Sequence, residues 1–264
     1  MKPDYKNWVP AGMITGLACG TICAFVLFLL LGVSGKILSE TPALICAVLF
    51  GMLTLILLFF TVWMYALNRT FDYNGKRKLA KTIIEGIAGY VNIPDGGTGL
   101  DVGCGSGALT IACAKRNPNA VMTGCDIWSG AYKKDFTKKR CEENAAAEGV
   151  SNVCFEEGNA IHLPFADESF DAVTSNYVYH NISGYDKQKL LLETLRVLKK
   201  GGTFAIHDIM SKVRYGDMDA FVTQLRSQGY EEVRLIDTTD GMFMDSKEAG
   251  WLGLSGSAIL AGRK

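Results

Sequence analysis

The sequence predicts an α/β domain, a parallel sheet covered by helices on both faces, preceded by a transmembrane helical hairpin. Three observations predict it. Two apolar runs, residues 9–33 and 42–67, each exceed the ~20 residues that cross a bilayer core as a helix. A glycine-rich turn at residues 99–107 sits between a strand-like run and a helix-compatible one. Behind it, short apolar runs tipped by acidic or polar residues alternate with helical periodicity as far as Lys264, the pattern of repeated strand–helix units.

The front of the chain is nearly uncharged. Of 27 basic residues only Lys2, Lys6 and Lys36 precede Arg69, and of 27 acidic ones only Asp4 and Glu40 do. Residues 34–41 are long enough to turn between the two runs, and a second span argues against a cleaved signal peptide, whose apolar core is also shorter. Lys2 and Lys6 lie before the first run and Arg69, Lys76, Arg77, Lys78 and Lys81 after the second, while the turn carries Lys36 alone. Basic residues stay on the cytoplasmic side, so both ends of the hairpin are expected there, with Trp8, Trp63 and Tyr65 at the interface. Gly12, Gly16, Gly20 and Ala24 line one helix face with small residues that permit close backbone approach in lipid; that face either packs on the second span or dimerises. Residues 76–90 read as an amphipathic helix whose basic start suits anionic headgroups, and Pro94-Asp95-Gly96-Gly97 ends it. The expected division is a hairpin over residues 1–68, a connector over 69–93 and a globular domain over 94–264.

The globular domain opens with Gly99-Leu100-Asp101-Val102-Gly103-Cys104-Gly105-Ser106-Gly107. Glycine permits positive φ and lets a ligand reach the main chain, and the helix that follows points its N-terminus at the turn. A dinucleotide fingerprint would place a third glycine where Ala108 stands, and no Gly-Lys-Ser/Thr follows for a phosphate loop. Asp101 puts a carboxylate where pyrophosphate would be repelled and a sulfonium or amino group favoured. The second strand, residues 121–126, ends in Asp126 about twenty residues past the loop, where an acid takes ribose hydroxyls; Ile127 and Trp128 offer an apolar wall for a purine. Residues 133–148 form a charged helix and 153–157 the third strand, followed by Gly158-Asn159-Ala160. The fourth strand, 171–175, delivers Asn176-Tyr177-Val178-Tyr179-His180-Asn181 to the edge where open parallel sheets bind ligands. A helix over 186–198, a turn at Lys199-Lys200-Gly201-Gly202, a fifth strand over 203–207 tipped by His207 and Asp208, a helix over 217–228 and strands over 232–237 and 257–262 complete the domain.

Asp101-Val102-Gly103-Cys104-Gly105-Ser106-Gly107, Leu163-Pro164-Phe165 with Ser169-Phe170-Asp171, and Leu195-Arg196-Val197-Leu198-Lys199-Lys200-Gly201-Gly202 resemble the motifs of class I S-adenosylmethionine-dependent methyltransferases that act on small molecules. The resemblance covers residues 100–264 and leaves the hairpin out. It implies a Rossmann-like seven-stranded sheet with one reversed strand and S-adenosyl-L-methionine as cofactor. Carried over residue by residue, it places Asp101, Gly103, Cys104, Gly105, Gly107, Asp126, Ile127, Asn159, Ala160 and Asn176 at the cofactor. The family commonly has Asp-Ala where this chain has Asn159-Ala160, so an amide oxygen replaces a carboxylate.

Methyl transfer from a sulfonium is a direct displacement that needs alignment above all. A base is required only for an acceptor that carries a proton; His180, Tyr177 and Asp208 are the catalytic candidates, and Met242, Phe243 and Met244 form an apolar acceptor wall or hairpin core. From Arg69 onward 24 basic residues face 25 acidic ones, which argues against a nucleic-acid substrate. Eight cysteines without a Cys-x-x-Cys pair, and three histidines without metal-ligand spacing, exclude a disulfide framework and a zinc site. The resulting expectation is a membrane-anchored methyltransferase for a small lipophilic acceptor (a thiol, phenol, quinone precursor or lipid amine) with its domain in the cytoplasm. A silent cofactor-binding scaffold and a protein methyltransferase are the alternatives.

Overall fold

The computed structural model describes residues 2–129 and 134–264, which divide into two compact units: Met1–Lys6 with Lys81–Lys264, and Asn7–Ala80. The residues before Asn7 and those from Lys81 onward thus cluster together, and the division falls within the amphipathic helix.

The smaller unit is a helical hairpin. Helix α1 (Ala11–Leu27) continues through a wider, π-type turn (Phe28–Val33) and faces helix α2 (Glu40–Phe71). Both are long and apolar enough to cross a membrane, 23 and 32 residues, and only 6% of each most apolar window is buried. They are thus not the core of the described fold. Close approach comes in the π-type turn: a Cβ on Gly32 would lie 2.6 Å from the Ala47 Cα. Gly20 faces Leu57 at 3.6 Å, while Gly12 and Gly16 have nothing within 4 Å. At the open end, Asn7 Nδ2 donates to the Asn68 carbonyl (2.7 Å) and Asn68 Nδ2 to the Val9 carbonyl (2.8 Å), which ties the two chain ends of the hairpin together.

The globular unit starts with α3 (Leu79–Ala88), whose buried Ile83, Ile84 and Ile87 recur at helical spacing. Then follow β1 (Thr98–Val102), α4 (Ala108–Arg116), β2 (Val121–Asp126), α5 (Lys138–Ala147), β3 (Val153–Glu157), β4 (Phe170–Asn176), α6 (Lys187–Arg196), β5 (Leu198–Ile209), α7 (Lys212–Tyr215), α8 (Met218–Ser227), β6 (Glu231–Asp237), α9 (Ser246–Leu252) and β7 (Ser257–Arg263). Lys133, the expected start of the charged helix, lies outside the described residues. The sheet order is β3-β2-β1-β4-β5-β7-β6, with β7 antiparallel to both neighbours and the other contacts among the first five strands parallel. This is the seven-stranded sheet with one reversed strand.

Central strands are covered on both faces, so they read as continuous apolar runs: Leu100, Val102, Val173, Phe204 and Ile206 are all buried. The Lys199-to-Gly202 turn is a correction. These residues stay in β5 and pass a bulge, with Phe170 paired to Leu198 and Ala172 to Thr203. Gly201 supplies the positive φ (77°) the bulge requires, and its N–H and the Gly202 carbonyl pair with Lys264. Parallel strands that end together leave their carboxyl edge open between helices, and this edge carries the candidate site.

Candidate functional site

The glycine turn joins β1 to α4. Gly103, Gly105 and Gly107 all have positive φ (73°, 57° and 82°), which a side chain would strain. At Gly103 a Cβ would also lie 2.3 Å from Val178. The segment after β4 thus rests directly on the turn. The turn's own amides are largely engaged: Gly103 and Cys104 donate to the Cys125 carbonyl, and Gly107 to that of Cys104. Cys104 turns inward, buried, and burial pushes its thiol well above the ordinary range, so it is inert there.

The acid at the tip of β2 is tied to the same turn. Asp126 Oδ2 accepts from the Gly105 amide (2.9 Å) and Oδ1 from the Trp128 amide (2.8 Å), while the Trp128 indole donates to the Gly105 carbonyl (3.0 Å). Trp128 reaches this position with φ of +39°, an uncommon value for a bulky residue and a mark of strain at such sites. Each Asp126 oxygen accepts one bond and can accept another. Ile127 beside it is 48% exposed.

Asp101 lies inside the protein. It is 1% exposed, with Oδ2 accepting from Thr110 Oγ1 (2.6 Å) on α4 and Oδ1 from Thr174 Oγ1 (3.1 Å) on β4. Burial pushes its carboxyl up to about 7, against the pull of the two hydroxyls. Expected as a direct partner of the cofactor's cationic groups, it is a buckle beneath the turn: both oxygens face hydroxyls on neighbouring elements.

Other candidates are also engaged by the protein's own groups. Asn159 is exposed, but Oδ1 accepts from the Ile161 amide (2.9 Å) and holds its own turn; Ala160 is buried. Asn176 Oδ1 lies 2.8 Å from His207 Nδ1, so its oxygen is taken by the ring. His207 is fully buried, with Nε2 3.0 Å from Thr238 Oγ1, and burial pushes it down to about 3: the ring is neutral. Tyr177 is a correction of another kind. Ser257 Oγ donates to the Leu254 carbonyl (2.7 Å) and accepts from the Tyr177 hydroxyl (2.8 Å). Burial raises that phenol further, so it is a poor proton acceptor or donor for chemistry. Its ring stands 4.6 Å from His207 and 5.9 Å from His180.

His180 and Asp208 form the pair suited to proton transfer. His180 Nδ1 is 2.6 Å from Asp208 Oδ1. Asp208 is fully buried, which alone would raise its carboxyl, but the His180 ring and the Ile209 amide hold it below the usual carboxylate value. The amides of Tyr179 (2.8 Å) and His180 (3.2 Å) add to Oδ2. An ionised acceptor at Nδ1 fixes the proton there and leaves Nε2 with the lone pair. Among the described residues Nε2 has no partner. Phe243 is buried against His207 (5.6 Å between rings) and Met244 is buried, whereas Met242 is 42% exposed. No group of three metal-ligating side chains occurs among the described residues.

Sequence reasoning named Asp126, the three glycines, His180 and Asp208 singly; the structure ties Asp126 to the glycine turn and brings His180 against Asp208. It missed Thr110 and Thr174, which hold Asp101, the Trp128 indole, and Val178 over Gly103. No motif marks these residues; each acts through a neighbour that only the folded chain supplies.

Comparison with known proteins places a methyltransferase domain over residues 100–206. A demethylmenaquinone methyltransferase of Geobacillus stearothermophilus is 36% identical over 113 residues, 42% of this chain and 45% of that protein. An arsenite methyltransferase of Halobacterium salinarum is 35% identical over 129 residues, 48% of this chain and 31% of that one. The chain spans about half or less of the length of these relatives. Among solved structures, the cyclase SpnF superposes with a TM-score of 0.53 at 22% identity, covering 73% of this chain and 85% of that one. A geranyl diphosphate methyltransferase gives 0.53 at 15%, covering 71% and 79%. These likenesses establish the fold.

Proposed function

We propose that the protein is a membrane-anchored, S-adenosylmethionine-dependent methyltransferase acting on a small lipophilic acceptor at the cytoplasmic face. The observation that carries this reading is the pairing of Asp126, with spare acceptor capacity, and the positive-φ glycine turn at adjacent strand tips. A nucleoside needs a carboxylate for its ribose and bare backbone beside it, and the residues present fit. Asp126 would hold the ribose hydroxyls, Ile127 and Trp128 would flank the base, and the turn at Gly105 would lie beside the ligand, with Gly103 and Gly107 packed against Val178 and Phe155. Asn159, Ala160 and Asn176 border the same edge, and Asp101 sets the turn from beneath.

When bound, S-adenosylmethionine supplies a methyl group on a positively charged sulfur. The protein's part is alignment and proton removal. His180 Nε2 takes the proton of an acceptor O–H or N–H, and Asp208 balances the imidazolium charge while fixing the ring. Such a base contributes roughly 10²- to 10⁴-fold. An acceptor of the quinone or phenol kind is supported by the relatives named for demethylmenaquinone and by the two apolar helices.

The anchoring argument rests on both flanks of the hairpin. Met1–Lys6 and Lys81–Lys264 fall in one compact unit, which supports a hairpin that begins and ends on one side, and the basic residues at both flanks support the cytoplasmic side. A second copy docking against Gly12 and Gly16 belongs to the same proposal. The deciding experiment is calorimetry of the full chain in detergent with S-adenosylmethionine and S-adenosylhomocysteine, then a labelled-methyl screen over phenols, quinols, thiols and lipid amines. Wild type that ignores both ligands at millimolar levels overturns the reading. Binding without transfer to any acceptor class favours the scaffold alternative.

A further inference from the structure

The segment before the hairpin is built into the glycine turn. Asn144 on α5 is 2% exposed, and its amide meets the main chain of Asp4 as a neighbouring strand would: Oδ1 accepts from the Asp4 amide (2.7 Å) and Nδ2 donates to the Asp4 carbonyl (3.2 Å). The same Nδ2 donates to the Ser106 carbonyl (3.0 Å). Ser106, 6% exposed, donates its hydroxyl to the Tyr5 carbonyl (2.7 Å), a contact across 101 residues of sequence. Tyr5 is 5% exposed and its hydroxyl donates to Glu148 (3.1 Å); Arg140 pairs with the Asp4 carboxylate (2.8 Å). Arg140, Asn144 and Glu148 recur every four residues, so one face of α5 and the capping turn after it grip the strap.

Resting on the cofactor assignment above, we propose that Asp4 and Tyr5 are positioning residues of the cofactor site: they act through Ser106 to hold the glycine turn in its binding conformation. The physical reason is pre-organisation. The turn carries three conformationally free glycines and must present one backbone shape to its ligand, and every bond that restricts it beforehand lowers the ordering cost of binding. The segment Met1–Lys6 clusters with the globular unit because of these bonds, and Lys6 leaves it through a positive φ of 54°. Residues 7–10 separate the strap from helix α1 in the sequence.

The test uses the full chain in detergent or nanodiscs with Ser106→Ala, Tyr5→Gly, and Ser106→Thr as the conservative rescue. Two quantities are read: amide hydrogen exchange of residues 103–110 with no ligand added, and the affinity for S-adenosylhomocysteine. Ser106→Ala and Tyr5→Gly are each expected to speed exchange and weaken binding roughly threefold to tenfold. Ser106→Ala removes the donor to the Tyr5 carbonyl outright, whereas Tyr5→Gly keeps that carbonyl and loosens the strap by removing its buried ring. Ser106→Thr should stay close to wild type, Ser106→Ala should leave the melting temperature of the globular unit little changed, and Tyr5→Gly should lower it. Should Tyr5→Gly fail to fold, Tyr5→Phe, which removes only the bond to Glu148, is expected to give the same effects more weakly. Unchanged exchange in Ser106→Ala, the variant that removes the bond itself, overturns the strap. Wild type that fails to bind the ligand while exchange still responds to Tyr5 overturns the cofactor assignment instead.

Discussion

Replacing Asp101 by asparagine separates two roles that a carboxylate beneath a cofactor turn can have. In the folded protein its carboxyl titrates at about 7, against 3.8 for a free side chain, because burial disfavours the charge more than Thr110 and Thr174 favour it. Below the unfolded value both states hold the proton. Between 3.8 and about 7 the unfolded chain has lost it and the folded one keeps it, so stability falls as pH rises, by about 1.4 kcal/mol per unit. Above about 7 the loss is complete, near 4 kcal/mol in all. Asparagine does not titrate and can meet both hydroxyls. Measured as the difference between Asp101→Asn and wild type, so that all other titrating groups cancel, the variant should gain about 2 kcal/mol between pH 5.5 and 8.5. For a unit of this size that is roughly 4–8 °C of melting temperature. Differential scanning fluorimetry of the full chain across that range reads it, and calorimetry with S-adenosylhomocysteine at pH 7.5 should show affinity within about threefold of wild type. A difference that stays flat with pH refutes the buried titration. Loss of binding by two orders of magnitude with the fold intact refutes the inward placement and restores Asp101 as a direct partner of the cofactor's charge.

Asp126→Ala should weaken S-adenosylhomocysteine binding at least ~30-fold, since ribose and turn lose one acceptor together; calorimetry with circular dichroism as control checks it. His180→Gln and Asp208→Asn should each lower kcat roughly 10²-fold or more with cofactor KM nearly constant, as measured on the acceptor found in the screen. Tyr177→Phe should retain activity within about threefold and lose about 1 kcal/mol of stability, because its hydroxyl is committed to Ser257; a hundredfold loss of kcat at constant melting temperature would return it to the chemistry. In membranes, alkaline carbonate should leave the protein in the pellet, and protease added to the cytoplasmic side should reach the Arg69-to-Lys81 connector but not Lys36.

What the sequence disclosed follows from where the physical signal is local. Alternation of strands and helices, the positive-φ demand on Gly103, Gly105 and Gly107, and an acid twenty residues on at the tip of β2 are all set by short-range rules, and the fold and half the site follow from them. The inward turn of Asp101 is hidden by the feature that makes β1 easy to find. Leu100, Asp101 and Val102 are all buried because a central parallel strand is covered on both faces, so period-two alternation is silent about which side chain meets the ligand and which meets α4. Lys199 to Gly202 reads as a turn by composition, yet the same two glycines let β5 pass a bulge while staying paired to Lys264; residue type records the need for positive φ and not whether the chain reverses. The Asp4–Tyr5 strap is least visible of all. Its bonds to Ser106 and Asn144 use main-chain carbonyls and amides, which every residue owns, and span 101 and 140 positions. Contacts made by backbone at such separation leave no trace in side-chain pattern, so the residues that shape a site without touching its ligand are those a sequence gives up last.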